Sequence, residues 1–189
     1  MEAFLVSFGL VFVAELGDKS QIMVLAFSAR YRPLPVLVGL ALAAALLNGL
    51  SVGIGSVVAT TVPTEAVAVV GGLTFLGFAA WSIRGSSRPD EAPPGLDHAT
   101  GPAVVAVAVA FVLAELGDKT MIATVTLAAR NSALATWAGA TLGLVAADAL
   151  AVALGRSLFA RLPPRTVRLA SAAAFAGFGV LLLVSALAS

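Results

Sequence analysis

Residues 14–19 read Ala14-Glu15-Leu16-Gly17-Asp18-Lys19, and residues 114–119 read Ala114-Glu115-Leu116-Gly117-Asp118-Lys119. The same charged hexapeptide returns at an offset of 100 with no gap. The register extends outward from it. At that offset Arg30 pairs with Arg130, Gly39 with Gly139, Gly55 with Gly155, Pro63 with Pro163, and Gly77-Phe78 with Gly177-Phe178. Asn48 pairs with Asp148. Coincidence among Ala, Val and Leu does not place a charged hexapeptide twice in register. The chain is a duplication.

The surroundings of the two motifs are apolar. Of 189 residues 60% are hydrophobic and 11% charged, with a mean hydropathy of +1.03. A soluble domain carries about 25% charged residues, and a soluble fold of this length would expose more apolar surface than water tolerates. The composition calls for a bilayer as solvent. Eleven basic against ten acidic side chains leave +1, which offers nucleic acid no diffuse attraction. The absence of cysteine excludes disulfides, thiolate metal sites and thiol catalysis. One histidine argues against a zinc, copper or haem centre. No glycine-rich phosphate loop adjoins Lys19 or Lys119, so nucleotide hydrolysis has no support. The expectation is a protein that is not an enzyme, with no catalytic residue and no cofactor.

A membrane-spanning helix needs about 20 mostly apolar residues. Reading for that length gives six spans, at 3–28, 34–61, 65–84, 102–128, 133–156 and 166–188. Arg30-Tyr31-Arg32-Pro33, Pro63 and Leu162-Pro163-Pro164-Arg165 punctuate them. The start lacks a basic n-region and the first apolar run is too long for a cleaved leader, so the first span is expected to be retained. The expected fold is all-α and polytopic: residues 1–84 form a first three-helix repeat, 85–101 a polar linker, and 102–189 a second three-helix repeat. Three spans are an odd number, so the second copy enters from the opposite side. Arginine placement agrees. With both termini outside, the inner loops hold Arg30, Arg32, Arg84, Arg88, Arg156, Arg161, Arg165 and Arg168, against Arg130 alone on the other side. The 85–101 linker is then cytoplasmic. Inverted repeats of this kind recur in secondary transporters, with the site at the midplane.

The chain's only lysines are Lys19 and Lys119, and four of its ten acids are Glu15, Asp18, Glu115 and Asp118. Each set lies about twelve residues into an apolar span, which at 1.5 Å per residue is mid-bilayer. One such charge at a helix centre costs about 2.5–3.5 kcal/mol on insertion scales. Six facing lipid would cost about 15–20 kcal/mol, a whole domain's stability or more. They must converge on one another, on water or on a ligand. On a continuous helix Glu and Asp at i, i+3 share a face, with Lys beside Glu at i+4. Gly17 and Gly117 permit close approach or local unwinding that frees carbonyls.

Four carboxylates and two ammonium groups sum to −2, which one divalent cation or two protons neutralise. A buried site that must hold one or the other is the core of a cation/proton exchanger. The donors on offer are carboxylates, the Ser20 and Thr120 hydroxyls, the Gln21 amide and backbone carbonyls. These hard oxygen ligands suit Ca²⁺, Mn²⁺ or Mg²⁺. Met121 stands where the second copy lacks an equivalent of Gln21. The lysines read as structural, each satisfying a carboxylate. Asp148 is the one further intramembrane acid, read as a proton relay, a supporting group or an interhelical hydrogen-bonding partner. Asn48 reads as a polar contact between helices. Gly49, Gly53 and Gly55 read as packing surfaces, Arg30 and Arg130 as helix ends, His98 as solvated, and Trp81 and Trp137 as interfacial.

The two motifs, Glu15-Leu16-Gly17-Asp18-Lys19-Ser20 and Glu115-Leu116-Gly117-Asp118-Lys119-Thr120, fit E-x-G-D-[KR]-[ST]. A chain bearing this motif twice, in two three-span repeats, resembles the Golgi and chloroplast calcium/manganese–proton exchangers and their bacterial manganese-exporter relatives. The resemblance covers nearly the whole chain. It implies efflux of Mn²⁺ or Ca²⁺ from the cytoplasm driven by proton entry, with Glu15, Asp18, Glu115 and Asp118 as the cation site. Lys19, Ser20, Gln21, Asn48, Lys119, Thr120 and Asp148 are its supporting candidates, and the plasma (inner) membrane of a bacterium is the implied location. Met121 departs from the glutamine that often follows the motif. The expected partners are the cation, protons and lipid, with no nucleic acid and no obligatory protein. Two other readings stand: an exporter of a small organic cation or amino acid, and a non-transporting scaffold whose charges register helices.

Overall fold

The computed structural model describes residues 1–84, 103–159 and 164–187, and within its helices not the side chains of Lys19, Ala29, 155–159, Pro164, Val167 or Arg168. The linker 85–101, with Arg88 and His98, therefore lies outside the described residues, as do the side chains of Lys19, Arg156 and Arg168. So does Arg161.

The described residues form eight helices: α1 (Glu2–Glu15), α2 (Lys19–Arg30), α3 (Pro33–Thr61), α4 (Thr64–Arg84), α5 (Ala103–Glu115), α6 (Lys119–Arg130), α7 (Ala133–Phe159) and α8 (Pro164–Leu187). Proline sets several starts. Arg32 is held in extended backbone at φ −61°, ψ 141° ahead of Pro33, which opens α3 with no amide donor to lose. Four stretches are long and apolar enough to cross a bilayer: Pro33–Thr61, Thr64–Arg84, Ala133–Leu154 and Leu169–Leu187. The expected first and fourth spans are each two helices, separated at Leu16–Asp18 and at Leu116–Asp118. The reading of Glu, Asp and Lys on one continuous helix face is thereby corrected: three non-helical residues carry Asp18 and Asp118 off the faces that hold Glu15 and Glu115.

On α3 small side chains, with Val36, Leu40 and Leu47, face inward, and a row of leucines and isoleucine faces out. On α3, Gly39, Ala43 and Ala44 are buried, whereas Leu42, Leu46, Leu50 and Ile54 are exposed at four-residue intervals. A stripe of large aliphatics on the outer face suits an apolar surround, and small residues at the contact let helix backbones approach.

Most packing joins one half of the chain to the other. Both pieces of the first broken pair, α1 and α2, pack on α7, and both pieces of the second, α5 and α6, pack on α3. The register is parallel in both cases. Gly139 of α7 lies against the Phe4 carbonyl, Gly143 against the Phe8 carbonyl, and Ala147 against Gln21. In the other set Gly39 lies against Val104 and Gly55 against Val125 and Ala128. A Cβ built on Gly39 would stand 2.6 Å from the Val104 carbonyl oxygen, so these crossings exclude any larger side chain. Gly55 thus packs as expected, but a Cβ built on Gly53 would meet no atom of another element within 4 Å among the described residues. The remaining pair, α4 and α8, is antiparallel. Gly72 meets Gly179 and Leu183, and Phe75 meets the rings of Phe175 and Phe178 at 5.9 and 5.0 Å.

Trp137 lies in the first two turns of α7 and also joins two helices. Its indole N–H donates to the Ala45 carbonyl at 2.9 Å and ties α7 to α3. Trp81 is exposed, and Arg30 and Arg130 do end α2 and α6.

Candidate cation site at the two helix breaks

The breaks follow from one residue type. Gly17 sits at φ 75° and Gly117 at φ 80°, the only positive values among the described residues. That left-handed conformation costs an L-residue about 1–2 kcal/mol and cannot continue an α-helix. The chain closes the same turn twice. The Asp18 amide donates to the Glu15 carbonyl at 3.1 Å, and the Asp118 amide to the Glu115 carbonyl at 3.1 Å. Helices restart at Lys19 and Lys119.

The two breaks are secured differently. The Gly17 amide donates to Gln21 Oε1 at 2.6 Å, while Gln21 Nε2 donates to the Ala147 carbonyl on α7 at 3.0 Å. Both ends of this buried amide are engaged in holding the turn, which is a positioning role. At the second break Met121 Sδ accepts from the Gly117 amide at 3.3 Å, a weaker bond at the same place. Ser171 of α8 donates to the Val13 carbonyl at 3.0 Å, near the end of α1. Its repeat mate is Gly71, which has no hydroxyl to offer.

The motifs meet. Lys119 Nζ lies 2.5 Å from Asp18 Oδ2, an ion pair from one repeat to the other, with both side chains largely buried. Asp118 also lies within coulombic reach of both Glu15 and Lys119. Glu15 is fully buried and Glu115 nearly so. Ser20 Oγ donates to Glu15 Oε2 at 2.7 Å, leaving Glu15 Oε1 buried with no hydrogen-bond partner. Among the described residues no three acidic side chains stand close enough together to hold one ion.

The supporting candidates divide between the halves. Asn48 on α3 accepts from Thr124 Oγ1 at 3.1 Å, so it does bridge helices. Thr120 is buried one turn earlier, and its carbonyl, 2.9 Å from Thr124 Oγ1, shares that one hydroxyl proton with Asn48. Asp148 on α7 is fully buried beside Ser20, within coulombic reach of Glu15 and Asp18. Thr124 and Ser171 escaped the sequence reading. Thr124 carried a legible signal, a hydroxyl one turn beyond Thr120 in an apolar helix; Ser171 carried none, since the repeat has no polar residue at its mate.

A family of divalent cation/proton antiporters, GDT1, matches the chain over residues 3–90 and 103–189. The chain belongs to the GDT1 family. Some relatives span most of its length. A protein named "Putative manganese exporter" from Vibrio cholerae is 32% identical over 178 residues, covering 93% of this chain and 87% of its own. GDT1-like protein sll0615 of Synechocystis is 31% identical over 199 residues, covering 95% and 96%. GDT1-like protein 3 of Arabidopsis thaliana is 40% identical over 79 residues, 42% of this chain. No solved structure matches. GDT1 membership makes this apolar helical chain a membrane protein of a divalent-cation transport family, with cation and protons as the family's substrates.

Proposed function

We propose that this GDT1-family chain exports Mn²⁺ or Ca²⁺ from the cytoplasm in exchange for protons, by alternating access around Glu15, Asp18, Glu115 and Asp118. The observation that carries the reading is the Lys119–Asp18 ion pair, which brings the two charged helix breaks to one place inside an apolar bundle. Charges so placed are stable only when their sum is balanced, and the motif groups together carry −2. A divalent ion or two protons restores neutrality, so release of one is coupled to uptake of the other.

The same reading takes the protein as six spans in two inverted repeats, 1–84 and 102–189, joined by a cytoplasmic linker at 85–101. Helix register supports this. The first broken pair runs parallel to α7 and the second parallel to α3, as the first and fifth spans, and the second and fourth, must when six spans alternate in direction. Arginine placement supports termini on the outer side of a bacterial inner membrane. Export is further supported by the Vibrio cholerae relative, whose name calls it an exporter. Within the site, Lys119 neutralises Asp18, Gln21 holds the first turn, and Ser20, Thr120 and Asn48 supply hydroxyl and amide oxygens nearby.

Flux of radioactive manganese and calcium into proteoliposomes, at two imposed pH differences, tests the reading. Metal flux should accelerate when protons run down their gradient in the opposite direction. Flux indifferent to the gradient would remove proton exchange from the mechanism.

A further inference from the structure

We propose that Asp148 is a fifth cation ligand, forming with Glu15 and Ser20 a two-carboxylate seat for the divalent ion on the α1–α2–α7 side of the site. This deepens the exchanger reading and rests on it. The mid-helix position of Asp148 on α7 is fully buried, and among the described residues no side chain or backbone group meets either carboxylate oxygen in hydrogen-bonding geometry. It faces Ser20 and lies in the field of Glu15 and Asp18. The Ser20 hydroxyl has one proton, and that proton goes to Glu15 Oε2 at 2.7 Å. Ser20 thus stands between two carboxylates, and its single proton can serve only one of them at a time.

Among the described residues three buried carboxylate oxygens here have no hydrogen-bond partner of their own within bonding geometry: Glu15 Oε1 and both of Asp148. A carboxylate so placed costs several kcal/mol unless a cation or hydrogen bonds compensate it. Lys119, whose field reaches Glu15, is already bonded to Asp18. The missing partner is a cation with an appetite for hard oxygen. A divalent ion takes one or two protein carboxylates readily and completes its shell with hydroxyl, carbonyl and water oxygens.

The repeat-related place is built otherwise. Asn48 stands where Asp148 does, and its carbonyl oxygen already accepts from Thr124. A neutral amide adds no charge to hold an ion. The site is thus lopsided although its motifs are equal, and the ion rests on the side of the first break.

Thermal unfolding of the purified full-length protein in detergent, with increasing Mn²⁺ or Ca²⁺, tests this. Ions that bind the folded state raise the unfolding temperature by mass action. Asp148→Asn should need at least tenfold more metal for the same rise, with a metal-free unfolding temperature equal to or above that of the wild type. A merely structural Asp148 would give the reverse, a lower metal-free temperature and an unchanged metal response, and that result overturns the proposal. If the wild type responds to neither ion, this proposal falls together with the exchanger reading. Should Asp148→Asn fail to accumulate, Asp148→Glu decides. A longer carboxylate shifts the Mn²⁺ over Ca²⁺ preference if it touches the ion, and a wild-type preference refutes the assignment.

Discussion

Asp18 and Lys119 form a bond that neither repeat can make alone, and its loss separates two roles. Removing only the carboxylate takes the bonded acid from a buried ammonium, and removing only the ammonium takes this cation from the acid. The double variant Asp18→Asn/Lys119→Met should therefore be more stable than the two single variants imply, with a coupling of about 1–3 kcal/mol by thermal unfolding in detergent. Transport should show no such recovery. Asp18→Asn and Asp118→Asn should each abolish manganese flux while the protein still inserts and elutes as a folded species. Wild-type metal tolerance of cells carrying either variant would take these carboxylates out of the mechanism.

The broken helices show what a sequence reveals at the level of elements. Glycine between two acids made unwinding one of two open options, because a glycine in an apolar helix serves close packing as readily as a turn. The deciding fact, a positive φ at Gly17 and Gly117, is a backbone state that leaves no mark in residue spacing. Ala at either place should cost about 1–2 kcal/mol through left-handed strain, read as a lower unfolding temperature. Spans 34–61, 65–84 and 133–156 were legible because length and hydropathy fix them. The Lys119–Asp18 partnership was not, since spacing along one chain cannot tell which of two identical motifs a lysine faces. Gln21 makes the same point. As an oxygen donor it looked like a ligand, yet both ends of its amide serve the turn and α7. Gln21→Met, which copies Met121, should lower stability by about 1 kcal/mol for the lost bond to Ala147 and leave metal selectivity as it was.

At the scale of the molecule, each broken pair is seated on the long helix of the other half, so a shift of one half against the other carries both breaks together. If that shift changes the side from which the ion is reached, metal and proton movements are locked in opposite sense. In everted membrane vesicles, manganese entry should alkalinise the lumen, and a dye that collapses the proton gradient should slow it. The exchange of partners between halves also bears on how the protein is made. A ribosome that has delivered residues 1–84 has produced Asp18 without Lys119, and α1 without the α7 groove that covers Glu15. The early product must wait in the lipid without the Lys119 ammonium and without α7 until the later product arrives. Synthesis is thus the chain's most exposed moment to quality-control proteases, and supplying the halves as two separate polypeptides in one cell should rescue what either lacks.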